Sequence, residues 1–297
     1  MDAQLRDLLT RIRELELVAR RNVSSLFAGN YLTTIPGRGL DFHEARQYVQ
    51  GEPIRRIDWK MTARMGSPYV RTFLEERQRE VFIALDVSPS MATGWQQHTK
   101  LEVAIEAAAT LALSAVRAGD RLGYVTFADR VFELDRPRAG KKQLFRALKT
   151  FVSALEPAAE PCPLSDPRTA IHAIEGFRGR SFVVFLISDF IDHDVPEDLR
   201  YFRRRHDVSL IQIYDPVEYA RTDAVRLPAF SPEGSAAITA VQPGVASGDA
   251  GSLEELMGYL ADEAARYGIH LASVATDQPV AGSLLELFQA KRRRRGL

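Results

Sequence analysis

VFIALDVS, residues 81–88, is a short and nearly continuous apolar run that breaks into polar residues at Asp86. A strand that is apolar at every position, instead of at alternate ones, is covered on both faces. Working outward, LEVAIEAAATLALSAVRA (101–118) has helical spacing, with small residues suited to close packing. RLGYVTFAD (121–129) reads as a second strand and KKQLFRALKTFVSAL (141–155) as a helix. Ser165 to Phe177 predicts another helix, with its polar start near Ser165 or Asp166. SFVVFLISDF (181–190) is a third buried strand, Asp198 to Arg205 a helix, and DVSLIQIYD (207–215) a fourth strand. SLEELMGYLADEAARYG (252–268), IHLASVATD (269–277) and SLLELFQAKRRRR (283–295) continue as helix, strand and helix. Strands that alternate with helices build βαβ units around a mainly parallel sheet. The expected fold class is α/β, with a central sheet flanked by helices over about 81–290.

The flanks read differently. Residues 3–27 carry Leu5, Leu8, Leu9, Ile12, Leu15 and Val18 at mostly helical spacing, which predicts an amphipathic helix. Residues 30–80 are punctuated by Gly and Pro and rich in Arg, with short strands expected around Tyr69 to Phe73. Helix and β-rich module together make an expected N-terminal region, 1–80. Residues 216–248 predict a β-hairpin excursion within the 81–290 domain, and 291–297 a basic tail whose Lys291 to Arg295 run is a solvated end.

Composition narrows the function classes. Over 297 residues, Lys plus Arg and Asp plus Glu both number 39, so no net charge draws the chain towards nucleic acid. The single cysteine, Cys162, excludes an intrachain disulfide and a cysteine-based zinc cluster. No apolar run reaches the roughly 18 residues that a membrane span needs. The charged start is not a secretory signal. A soluble, cytoplasmic protein without membrane insertion is expected. The histidines show no paired ligand spacing, and neither a phosphate-binding GxxxxGK[ST] loop nor a GxSxG elbow is present.

The chemistry is expected where strands end, because ligands of open α/β sheets bind beyond the carboxyl ends of the strands. The first strand ends in Asp86-Val87-Ser88-Pro89-Ser90. In an extended segment, side chains at i, i+2 and i+4 point the same way. One carboxylate and two hydroxyls then face one point. These are hard oxygen donors, suited to Mg²⁺ or Mn²⁺ and not to zinc. Asp189 ends the strand SFVVFLIS, and Ser165 opens a helix, with Thr169 as its rival; Asp192 is a weaker candidate.

Asp86-x-Ser88-x-Ser90, the later hydroxyl and Ser188-Asp189 resemble the metal-ion-dependent adhesion site of von Willebrand factor A domains. Upstream, Tyr48, Gly51, Arg56-Ile57-Asp58-Trp59, Ala63-Arg64 and Val70-Arg71 resemble the signature of a bacterial domain-of-unknown-function family, number fifty-eight. The resemblance covers roughly 30–215. It implies a von Willebrand A-like domain and metal ligands at Asp86, Ser88, Ser90, Ser165 and Asp189, the last acting through water. It also implies a MoxR-type AAA+ ATPase as protein partner. Ser165 stands where that pattern usually has Thr, and Glu52 where it often has Asp. Within the module, Trp59 is expected to be buried and Asp58 to cap a turn or pair with an arginine.

The expected function is a non-enzymatic, Mg²⁺- or Mn²⁺-dependent protein-interaction module that serves as adaptor for such an ATPase. Two alternatives stand beside it: a metal-dependent phosphoryl hydrolase using Asp86, and a structural protein with a dead site. The hydrolase would want a second carboxyl two residues after Asp86 as general acid, and Ser88 is there instead.

Overall fold

The computed structural model describes residues 10, 14, 16–23, 41–49, 54, 57–74, 78–94, 97–156, 165–177, 180–191, 198–219 and 253–294. Its centre is a six-stranded sheet in the order β5-β4-β3-β6-β7-β8. The strands are β3 (Glu80–Asp86), β4 (Arg121–Phe127), β5 (Val131–Arg138), β6 (Val183–Ser188), β7 (Asp207–Tyr214) and β8 (His270–Ala275). All neighbours pair in parallel except β4 and β5. The fold is therefore α/β with a mostly parallel sheet, as the alternating pattern predicts. β5 is the strand that the sequence pattern does not announce. Its burial is broken and largely solvent-facing, as a charged edge strand of sequence VFELDRPR dictates.

Helices cover both faces. α3 (Lys100–Arg117), α4 (Lys141–Ser153) and α8 (Val280–Arg294) share one buried cluster with Val81, Ile83 and Leu85 of β3. α5 (Pro167–Glu175), α6 (Asp198–Arg205) and α7 (Leu253–Arg266) pack with Phe82 and Ala84 on the other face. This is why β3 reads as unbroken apolar sequence: alternate residues serve two cores. α3 starts on a capping box, where Thr99 Oγ1 accepts from Glu102 N–H while the Glu102 carboxylate accepts from Thr99 N–H. Its run of small residues, Ala104, Ala107, Ala108 and Ala112, lets it lie close to the sheet with no exposure at any of them.

The chain divides into two compact units, Met1–Leu32 with Glu80–Leu297, and Thr33–Arg79. The described part of the N-terminal helix, α1 (16–23), belongs with the sheet. Ala19 and Val23 lie in the α3-side core, and Asn22 Nδ2 donates to Glu106 Oε1 at 2.7 Å. In the smaller unit, β1 (Asp41–Gln47) and β2 (Tyr69–Leu74) form an antiparallel pair around the short helix α2 (Trp59–Met65). Asp58 caps α2, accepting from the N–H groups of Lys60 and Met61 at 3.1 and 3.2 Å. Gly66 closes it at φ 71°, a left-handed conformation that glycine adopts without strain.

Two expectations need correction. Trp59 is not buried: it is 65% exposed, and no residue of α2 is buried. Seven residues make barely two turns, too few to present a tryptophan at N1 to a core. Nor does Lys291 start a solvated tail. It lies inside α8 and is buried, with Nζ 2.9 Å from both Ser209 Oγ and Asp207 Oδ1. The hairpin expected for 216–248 falls largely outside the described residues, of which Pro216–Tyr219 form a 3-10 turn. Cys162 and Asp192 also lie outside them.

Candidate metal centre

In parallel pairing, the carboxyl ends of β3, β4, β6 and β7 lie along one edge of the sheet. The chain leaves β3 towards β4 on one side and returns to β6 on the other, so that Asp86 and Ser188 flank the point where strand order reverses. Such a point leaves a crevice between diverging connections. Register aligns Leu85 with Ile187, so the next residues, Asp86 and Ser188, arrive side by side.

Asp86 is fully buried. Its Oδ2 accepts from Ser165 Oγ and from Ser188 Oγ, each at 2.6 Å, and its Oδ1 accepts from Ser88 N–H at 2.9 Å. Ser88 and Ser90 turn back on each other, with 3.1 Å between their hydroxyl oxygens. They are held by the 3-10 turn Pro89–Ala92, which is anchored by the fully buried Met91. Ser165 is placed from two sides. Asp166 N–H donates to the Ala128 carbonyl just beyond β4 at 3.0 Å, and the Asp166 carboxylate caps α5 at Arg168 N–H, with Pro167 at the first helical position. Thr169 points elsewhere, to the Asp129 carbonyl at 3.5 Å. The structure therefore brings Ser165, and not Thr169, to Asp86.

Asp189 is buried beside this cluster. Its neighbour Phe190 holds φ 53°, a conformation that bulky residues rarely adopt, and it is pinned in the α5-side core. Strain of this kind costs about 1–3 kcal/mol and persists where the surroundings over-determine it. Phe190 N–H donates to Ser188 Oγ at 3.3 Å, which directs the Ser188 hydroxyl proton towards Asp86.

Electrostatics at Asp86 are set by competition. Burial pushes its carboxyl up to about 6, and the nearby Asp189 carboxylate adds to this; the hydrogen bonds from Ser165, Ser188 and the Ser88 N–H pull the other way. Three hydrogen bonds to the carboxylate do not outweigh its burial. The donor set fits a hard divalent cation: two carboxylates and several hydroxyls, with no sulfur or imidazole. Among the described residues no three of His, Cys, Asp and Glu cluster as a metal site, so a cation held here would take most of its ligands from hydroxyls.

Sequence reasoning missed two groups. Lys100, at the start of α3, is 1% exposed, and its Nζ lies 3.0 Å from Asp189 Oδ2 and 2.8 Å from Glu218 Oε1. Glu218 belongs to the 3-10 turn after β7 and also accepts from Thr93 Oγ1 at 3.2 Å. Burial disfavours the Lys100 charge, yet the two carboxylates outweigh it and hold its pKa above the ordinary lysine value. The strand-end rule that singles out Asp86 and Asp189 applies equally to Asp215-Pro216-Val217-Glu218 after DVSLIQIY and could have found Glu218. Nothing in a lone lysine opening a helix marks it as buried.

The family described as "Protein of unknown function DUF58" matches residues 44–233. Uncharacterized proteins of Mycobacterium tuberculosis and Mycobacterium bovis are each 30% identical to this chain over 210 residues, covering 70% of it. The match spans 66% of each relative, just under two thirds of their length. Among solved structures, the conserved hypothetical protein BatB from Bacteroides thetaiotaomicron aligns at TM-score 0.47 with 18% identity, covering 72% of this chain and 99% of that one. The SpRpn10 VWA domain aligns at TM-score 0.39 with 13% identity, covering 70% and 94%.

Proposed function

The chain belongs to the DUF58 family of proteins of unknown function, and from that premise we propose that it is a non-enzymatic protein-interaction module that works through a bound Mg²⁺ or Mn²⁺. The observation that carries this reading is the buried Asp86 carboxylate, which gathers Ser165 and Ser188 at 2.6 Å beside the Ser88–Ser90 pair at the reversal point of the sheet. Asp86, Ser88, Ser90 and Ser165 would hold the cation, with Asp189 close by. A cation with so few anionic ligands supplies a Lewis-acidic position for an oxygen anion from another protein. The chain's own part is to present the hydroxyls preformed and to keep bulk water from Asp86.

Against catalysis stands the residue two positions after Asp86. Ser88 turns its hydroxyl to Ser90, and no second carboxyl is there to protonate a leaving group. For the partner, the family resemblance points to a MoxR-type AAA+ ATPase presenting a Glu or Asp side chain.

The test is thermal denaturation with and without Mg²⁺ or Mn²⁺. At about 100 times its dissociation constant, a cation that binds only the folded chain stabilises it by roughly 2.7 kcal/mol. Asp86→Asn keeps the shape of the side chain and should lose that gain. An equal shift in both proteins would rule the site out.

A further inference from the structure

We propose that Lys100 and Glu218 form a charge-setting pair for the cation site, in which Lys100 is the positioning residue for Asp189 and Glu218 keeps the ammonium in place. The proposal rests on the metal reading above and adds two residues to it.

Lys100 Nζ is buried and bridges two carboxylates that come from different strands, Asp189 after β6 and Glu218 after β7. A buried ammonium is held only when its donors are satisfied. Glu218 meets it with both oxygens, at 2.8 and 3.1 Å, and is itself oriented by Thr93. The same Thr93 hydroxyl, whose one proton is shared between the two acceptors, lies 2.6 Å from the Ser90 carbonyl, which ties the pair to the loop carrying Ser88 and Ser90. The bridge is therefore continuous with the candidate ligands on two sides, through Asp189 and through Ser90.

The consequence is a site whose charge depends on both members of the pair. Lys100 offsets part of the negative charge that Asp86, Asp189 and Glu218 bring to this sheet edge, and Glu218 adds to it. With one Asp189 oxygen committed to Lys100, that carboxylate is a weaker donor to the cation. The cation thus keeps its appetite for an outside oxygen anion, which the proposed function requires. A bridge that only fastened the turn after β7 to α3 would support the fold without tuning the site.

The two roles separate in Mn²⁺ binding to the full chain, measured by calorimetry and by the electron paramagnetic resonance signal of free Mn²⁺. Lys100→Met removes a positive charge and should tighten Mn²⁺ binding by about tenfold or more. Glu218→Gln removes a negative charge and should weaken it by a similar factor, about tenfold. Lys100→Met/Glu218→Gln removes one charge of each sign, leaves the net charge unchanged, and should return the affinity towards that of the unaltered chain. A lone Lys100→Met that does not fold leaves the Glu218→Gln arm decisive, since the glutamine amide still offers an oxygen to the ammonium. Mn²⁺ binding that needs Asp86 but is unmoved by these variants, or moved in one direction by both, overturns this proposal alone. Binding that Asp86→Asn leaves unchanged, or none at all, overturns the metal reading with it.

Discussion

Ser165 and Ser188 each place a hydroxyl 2.6 Å from the same oxygen of a carboxylate that solvent does not reach. Hydrogen bonds to a charged acceptor contribute about 1.5–3 kcal/mol, more than neutral ones. Ser165→Ala should therefore destabilise the chain by about 1–3 kcal/mol in chemical denaturation, whereas Thr169→Ala should stay within about 0.5 kcal/mol. A larger loss for Thr169→Ala than for Ser165→Ala would mean that the two hydroxyls had been assigned the wrong way round. His206 offers a pH readout apart from this site. Its Nδ1 accepts from Phe182 N–H at 3.1 Å, its ring lies between Phe182 and Phe202, and Nε2 is buried without a partner among the described residues. Burial pushes its pKa down to about 4, helped by Arg205. The unfolded chain, with an ordinary pKa of 6.5, then binds the proton first, so stability is lost as pH falls from 6.5 towards 4. Asp86 acts with the opposite sign, since its raised pKa makes the ionised form costly above about 6 and relieves that cost below. The raw profile mixes both, so the informative quantity is the difference from His206→Asn. That variant keeps an acceptor for Phe182 N–H and should flatten the loss between pH 6.5 and 4.

At the scale of elements, strand β4 passes close to the Phe82 ring of β3. Gly123 lies opposite Phe82, and a Cβ there would come within 2.8 Å of the Phe82 ring and 3.1 Å of the Asp135 carbonyl. The ring cannot turn away freely, because Phe182 packs edge-on against it at 5.0 Å. Gly123→Ala should thus cost about 1–3 kcal/mol by overpacking. Helix α2 gives the contrasting case. With Trp59 exposed, Trp59→Ala should change stability by less than about 0.5 kcal/mol. A loss of several kcal/mol would show that Trp59 is covered in solution. The elements themselves were readable in proportion to their burial. β3, β6 and β7 are buried on both faces and stand out as apolar runs, and α6 spans the residues expected of it. β5 escaped notice because an edge strand with a mixed, charged sequence has neither the run nor the alternation that marks a strand.

For the molecule as a whole, Lys291 shows how far a basic run can mislead. Its ammonium reaches across from α8 to Asp207 and Ser209 at 2.9 Å and lies over the Phe185 ring at 5.7 Å. A chain truncated before Lys291 loses the last turn of α8 and takes the ammonium away from the buried Ser209 hydroxyl, and should be less stable by about 1–3 kcal/mol in chemical denaturation. Weakened partner binding by the shorter chain therefore needs a stability control before it is read as electrostatic contact.

Residue order alone determined the α/β class, the sheet's buried strands and the oxygen-bearing side chains at their ends, because burial on two faces and strand-end polarity are both written in local pattern. Only the tertiary structure decided that Ser165 and not Thr169 meets Asp86, that Ser188 joins them, that Lys100 is buried between Asp189 and Glu218, and that Trp59 is exposed. The physical reason is range. Periodicity reports which face of an element is covered, over a few residues. Which charges meet across 89 or 118 residues of chain depends on strand register and on the loops that cross the sheet edge.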